Sequence, residues 1–223
     1  MFEPRLVIFD LDGTLIEPPL DFLFTQAESI LPQLGYPGVT RVQIADYYSK
    51  FDMFGFVLQA EKELLTEQFW QIFDWSDFPK PIVIDGVIDT LEELRLAGVQ
   101  TAIATARTMD LRLLEDELVP TGLLNYLSLV KTRPGEHIHW TDKRGIISAV
   151  CSELQVPPEQ TMMVGDIPTD ITSARDVGIG YTVAVETGGL ETDILRGAEP
   201  DALLPSVGEL LSVVDRSSGR VSL

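Results

Sequence analysis

Five short runs without a charged residue recur along this chain, at 6–9, 99–105, 126–130, 161–164 and 181–185, and the first stops abruptly at Asp10. Runs of this length that are apolar throughout, or nearly so, suit strands buried on both faces, as in a parallel sheet. Between them lie segments of helical period. Ile88, Leu91 and Leu94 mark one apolar face, with Gly98 as its stop. Leu111, Leu114 and Leu118 mark a second, Ile146, Ile147, Val150 and Leu154 a third, and Ile171, Ala174 and Val177 a fourth, closed by Gly178. Ser206 and Glu209 have capping-box spacing ahead of Leu210, Leu211 and Val214, which predicts a last helix. Strands alternating with helices predict an α/β fold, a doubly wound parallel sheet.

Residues 17–83 break this rhythm. They hold thirteen of the eighteen aromatic residues and no convincing strand. Their periodicity predicts helices at about 20–34, 40–58 and 61–73, and prolines bracket the stretch at Pro18-Pro19 and at Pro79 and Pro81. The expected organisation is therefore a core domain of residues 1–16 and 84–215, an inserted all-helical domain of residues 17–83, and a polar, flexible tail at 216–223.

Composition excludes several functions. Sixteen Lys and Arg against thirty-five Asp and Glu leave a net charge of −19, which argues against nucleic acid or an anionic membrane as partner. The single cysteine, Cys151, cannot form an internal disulfide and is expected to be a small buried hydrophobe. No apolar run approaches membrane-spanning length, and the four-residue apolar run before Asp10 is too short for a signal peptide, so a cytoplasmic location is expected. If the substrate is an anion, so acidic a chain must supply positive charge locally.

In open α/β sheets ligands bind beyond the carboxyl ends of the strands. The first strand is followed by Asp10-Leu11-Asp12-Gly13-Thr14-Leu15. Two crowded carboxylates at the end of a buried strand repel each other unless a cation compensates, and magnesium takes such oxygen ligands. Gly13 allows a sharp turn that could aim backbone N–H groups at an anion. After the second strand, Thr105-Ala106-Arg107 opens a helix and suits a phosphate. Arg107 could reach an anionic substrate or stand in solvent. After the fourth, Gly165-Asp166-Ile167-Pro168-Thr169-Asp170 adds two carboxylates to the same sheet edge. Lys143, before Ile146, and Lys131, at the end of the third strand, compete to supply the missing positive charge.

This ordered set resembles the haloacid dehalogenase-like hydrolase superfamily, and within it the phosphoglycolate phosphatase-like branch. The resemblance runs from Leu6 to about Val214, and the helical insertion is similar to that superfamily's cap over a Rossmann-like core. It implies a magnesium-dependent phosphatase for a small phosphorylated metabolite. Asp10 would take the phosphoryl group as an aspartyl phosphate, and Asp12 would act as acid and then base. Asp10, the backbone carbonyl of Asp12 and Asp166 would bind Mg2+, with Asp170 behind them. Thr105, Lys143 and the N–H groups of Leu11, Asp12 and Ala106 would hold the phosphoryl oxygens. Lys143 is followed by Arg144-Gly145, where this branch commonly has proline.

A phosphosugar mutase of the same superfamily and a catalytically silent binding module are the alternatives. A dehalogenase fits less well, since it needs neither Asp12 nor a metal site at Asp166. Specificity is expected in the cap, whose basic residues include Arg41, Lys50 and Lys62. Arg41 and Arg107 are the candidate substrate contacts. The segment His137-Ile138-His139-Trp140 has the spacing for two imidazoles on one side of an extended strand but is expected to be a surface loop. A monomer or a homodimer is expected.

Overall fold

A computed structural model describes residues 1–107, 109–133 and 142–214 of the chain. β1 (Leu6–Phe9) is followed by three helices, α1 (Leu20–Ile30), α2 (Arg41–Ser49) and α3 (Gln59–Ile72). Then come α4 (Val87–Leu96), β2 (Gln100–Ala104), α5 (Leu111–Leu118), β3 (Leu129–Lys131), α6 (Arg144–Leu154) and β4 (Thr161–Gly165). α7 (Pro168–Val177), β5 (Tyr181–Val185), α8 (Thr192–Gly197) and β6 (Ala202–Leu204) complete the order. The strands form one parallel sheet in the order β3-β2-β1-β4-β5-β6.

The sheet is buried on both faces because its central strand is apolar at every position. Val7 and Phe9 point to one side, into a cluster with Leu91, Leu114, Val164 and Leu210. Leu6 and Ile8 point to the other, against Ala102, Ile147, Met163 and Ala174. Each such large side chain contributes about 1.5–3 kcal/mol by leaving water. Cys151 lies in the second cluster, where burial pushes its thiol pKa up. The register sets the functional edge. Phe9 pairs with Ile103 on β2 and with Val164 on β4, so Asp10, Thr105 and Asp166 emerge together at the carboxyl end of the sheet.

The helical insertion has its own core, in which Phe24, Ile30, Ile44, Phe54, Leu65 and Phe69 are buried. The density of aromatic residues is spent largely here, in edge contacts such as Phe54 with Phe69 at 5.3 Å. The chain leaves and re-enters the sheet layer at one place. Glu17 N–H donates to the Ile82 carbonyl at 2.8 Å, and Ile84 N–H to the Leu15 carbonyl at 3.0 Å.

Several boundaries differ from the sequence reading. α2 ends at Ser49 rather than running to 58, because Phe51 takes a φ of 58°, which no α-helix can continue. α1 closes at Ile30, and α3 begins at Gln59. The expected C-terminal α-helix is a 3-10 helix, Val207–Ser212, with the Ser206 hydroxyl accepting from Gly208 N–H at 3.2 Å. β6 has no counterpart in the sequence reading, since it is only three half-buried residues at the sheet edge, paired with β5. The histidine segment 137–140 and the tail 216–223 lie outside the described residues. Among the described residues no helix is long and apolar enough to cross a membrane.

Candidate active site

At the end of β1, Asp10 N–H donates to the Val164 carbonyl at 2.9 Å, which fixes it against β4. The Leu11 carbonyl then accepts from Leu15 and Ile16 N–H at 2.9 and 3.1 Å, folding the chain back on itself. The buried side chains of Leu11 and Leu15 anchor this turn from below. Gly13, at φ 81°, makes the turn possible, and a Cβ there would overlap the Asp166 carboxylate. Thr14 Oγ1 donates to Asp166 Oδ1 at 2.9 Å, and Thr187 Oγ1 to the Gly13 carbonyl at 2.5 Å.

Asp166 follows β4, and Asp170 lies in the first turn of α7, where its carboxylate accepts from Ile167 N–H at 3.2 Å. Asp10, Asp166 and Asp170 bring carboxylate oxygens within 4.8 Å of one another, all three residues being buried. Lys143 is held at the start of α6, its N–H donating to Ser173 Oγ at 3.1 Å. Its Nζ stands 2.6 Å from Asp10 Oδ1 and 2.6 Å from Asp170 Oδ1. Burial works against the ammonium, but the two carboxylates outweigh it and raise its pKa. Lys131 is elsewhere, paired with Glu153 at 2.6 Å. Three acids against one ammonium remain overcharged. Burial, Asp10 and Asp170 push Asp166 well above the ordinary carboxylate range, and burial lifts Asp170 to about 6 despite Lys143.

This set fits magnesium. The donors are hard oxygens, the charge excess is what a divalent cation would relieve, and room has been left around Asp166. A Cβ at Gly188, like one at Gly13, would overlap its carboxylate.

Asp12 faces a different way. Its two oxygens accept from Arg107, Nε to Oδ2 at 2.7 Å and Nη2 to Oδ1 at 2.6 Å. Arg107 also donates to Glu117 at 2.8 Å and lies over the Phe78 ring at 4.9 Å, so it is neither solvated nor idle. Thr105 is buried, its N–H donating to the Lys131 carbonyl and its hydroxyl accepting from Arg107 N–H at 3.2 Å. Leu11 is buried and Ala106 half-buried beside them.

The three basic residues in the helices of the insertion and the turn after α2 are spent within it. Arg41 pairs with Asp21 at 2.5 Å and Glu28 at 3.2 Å beside the Phe24 ring, binding α2 to α1 rather than offering a substrate contact. Lys50 pairs with Asp46 and Lys62 with Asp52. The residue that does reach the carboxylates is Tyr48, on α2. Its hydroxyl donates to the Gly188 carbonyl at 3.2 Å, and burial with the nearby Asp166, Asp12 and Asp10 raises its pKa. Nothing in the sequence separates Tyr48 from its aromatic neighbours. Thr187 and Gly188 could have been found by the same rule as Asp166, since they follow β5 at the functional edge.

Residues 7–184 match the family model described as haloacid dehalogenase-like hydrolase. A phosphoglycolate phosphatase of Vibrio vulnificus is 28% identical over 231 residues, covering 95% of this chain and 96% of that one. A pyrophosphatase of Oceanobacillus iheyensis is 25% identical over 225 residues, covering 96% and 98%. Among solved structures, a haloacid dehalogenase-like family hydrolase from Streptococcus pneumoniae has the same fold, with a TM-score of 0.72 at 21% identity over 94% of this chain and 97% of its own.

Proposed function

This chain belongs to the haloacid dehalogenase-like hydrolase family, and on that premise we propose that it is a magnesium-dependent phosphatase of a small phosphomonoester, working through an aspartyl phosphate on Asp10. The observation that carries the reading is the buried cluster of Asp10, Asp166 and Asp170 around Lys143 at the carboxyl edge of β1 and β4. The similarity to phosphoglycolate phosphatases favours 2-phosphoglycolate as the substrate.

In this scheme Lys143 holds Asp10 Oδ1, and the other oxygen attacks phosphorus. As that bond forms the ester P–O bond breaks, and Asp12 gives its proton to the departing oxygen. Asp12 then takes a proton from the water that attacks the aspartyl phosphate, which releases orthophosphate and restores Asp10. Thr105 and the N–H groups of Leu11, Asp12 and Ala106 hold the phosphoryl oxygens, aided by Lys143. Asp10, Asp166 and the Asp12 carbonyl would hold magnesium, whose charge offsets that of the nucleophile and the phosphoryl oxygens. Asp170 steadies Lys143 from behind. Residues 17–83 act as a cap that excludes water while the ester is bound, with Tyr48 as its contact to the Gly188 segment.

The test is orthophosphate release across a panel of phosphorylated metabolites, with magnesium and with a chelator. Turnover that needs magnesium and falls by about a thousandfold or more in Asp10→Asn is expected. Full turnover in Asp10→Asn would refute the nucleophile.

A further inference from the structure

An acid that serves a leaving group must turn an oxygen towards it, yet both oxygens of Asp12 face Arg107, at 2.7 and 2.6 Å. The fork is well made. Two parallel charge-assisted bonds fix the carboxylate in plane, the Arg107 side chain is 15% exposed, and its third nitrogen is anchored on Glu117. Above the guanidinium lies Phe78, which packs edge-on to Phe22 at 5.6 Å and so belongs to the aromatic layer of the insertion. Asp12, Arg107, Phe78 and Lys80 line one partly open cavity of about 80 Å³, together with Glu17 and four prolines. That space takes a fragment of a few heavy atoms, and its lining sets Arg107 and Lys80 against Asp12 and Glu17.

We propose that Arg107 is a specificity-determining gate, which withholds Asp12 until the leaving group brings its own carboxylate into this cavity. The substrate's anion takes over the Arg107 fork, with Lys80 beside it, and Asp12 is released to face the ester oxygen. One charged pair is thus exchanged for another. A neutral leaving group offers no such exchange, because freeing Asp12 would strand a mostly buried guanidinium with two bonds fewer, only the one to Glu117 remaining. The inference rests on the role of Asp12 given above and adds to it the residue that reads the charge of the leaving group, Arg107, and the step at which it is read.

The experiment compares 2-phosphoglycolate with its uncharged amide, similar in size, in the wild type, Arg107→Lys and Arg107→Gln, separating kcat from KM. The wild type is expected to favour the acid by about tenfold or more in kcat. Arg107→Lys keeps the positive charge but loses the fork, so kcat for the amide rises and the preference shrinks to about threefold or less. Arg107→Gln also loses affinity for the acid, seen as a raised KM. Thermal melts of both variants show whether the fold is kept, and the lysine variant is the milder change. Equal wild-type kcat for the two esters, or an equal loss on both in the variants, would overturn the gate and leave the phosphatase reading standing. No release of phosphate from either ester, nor from any other in the panel, would overturn both.

Discussion

Lys143 stands 2.6 Å from Asp10 with a side chain only 1% exposed, so the charge the acidic composition withholds from the surface is placed inside the site. Removing it leaves Asp10 and Asp170 facing each other without a cation. Lys143→Met is expected to lose about 3–5 kcal/mol of stability, the usual result of breaking a buried pair. Lys131→Ala, whose partner Glu153 is half exposed, should lose less than about 1 kcal/mol. Denaturant unfolding of the two variants separates them. In turnover, loss with Lys131→Ala and survival with Lys143→Ala would give the role of active-site lysine to Lys131.

The crowded carboxylates predict how metal and pH combine. Asp170 is raised from 3.8 to about 6, so without metal the fold binds more protons than the unfolded chain in that window. Stability contributed by the protonated acid is present at low pH and declines as pH rises through the window. Asp166, also raised by burial and by Asp10 and Asp170, acts in the same direction. Magnesium needs the ionised forms, so it should raise the melting temperature more at about pH 7.5 than at about pH 5. An equal rise at both would argue that Asp166 does not bind it.

Gly188 is expected to tolerate no side chain. A Cβ there overlaps the Asp166 carboxylate, so Gly188→Ala must move either the loop or the ligand. We expect a loss of about 1–3 kcal/mol in stability and a loss of about tenfold or more in magnesium affinity, read by calorimetry. Unchanged affinity would remove Asp166 from the metal site.

Tyr48→Phe deletes one hydrogen bond between α2 and the Gly188 carbonyl, worth about 1 kcal/mol. Amide exchange in α2 should quicken while that of β1 and β4 stays slow. Exchange unchanged in α2 would mean that Ser49, whose carbonyl accepts from Glu191 N–H at 2.7 Å, is sufficient to hold the helix.

Much of the fold was legible because parallel strands buried on both faces leave continuous apolar runs. β1, β2, β4 and β5 fall on such runs, and Gly98 and Gly178 follow α4 and α7 as expected. What escaped lacked a local signal. β6 is a strand by virtue of its neighbour, and Phe51 ends α2 in a left-handed conformation that its side chain does not advertise. The 3-10 helix at 207–212 carries the capping pattern of an α-helix, and packing against α4 decided otherwise.

The candidate site divides along the same line. The sequence alone determined that Asp10, Asp12 and Asp166 would gather at one edge, because each follows or ends an apolar strand and parallel register aligns those ends. It could not choose between two lysines, nor say what Arg107 touches. Those answers depend on contacts between side chains far apart in the chain, Lys143 with Asp10 and Arg107 with Asp12, which form only once the helices have packed on the sheet. Where the strands lie follows from local pattern; the pairing of buried charges follows from distance, and only the tertiary structure sets distance.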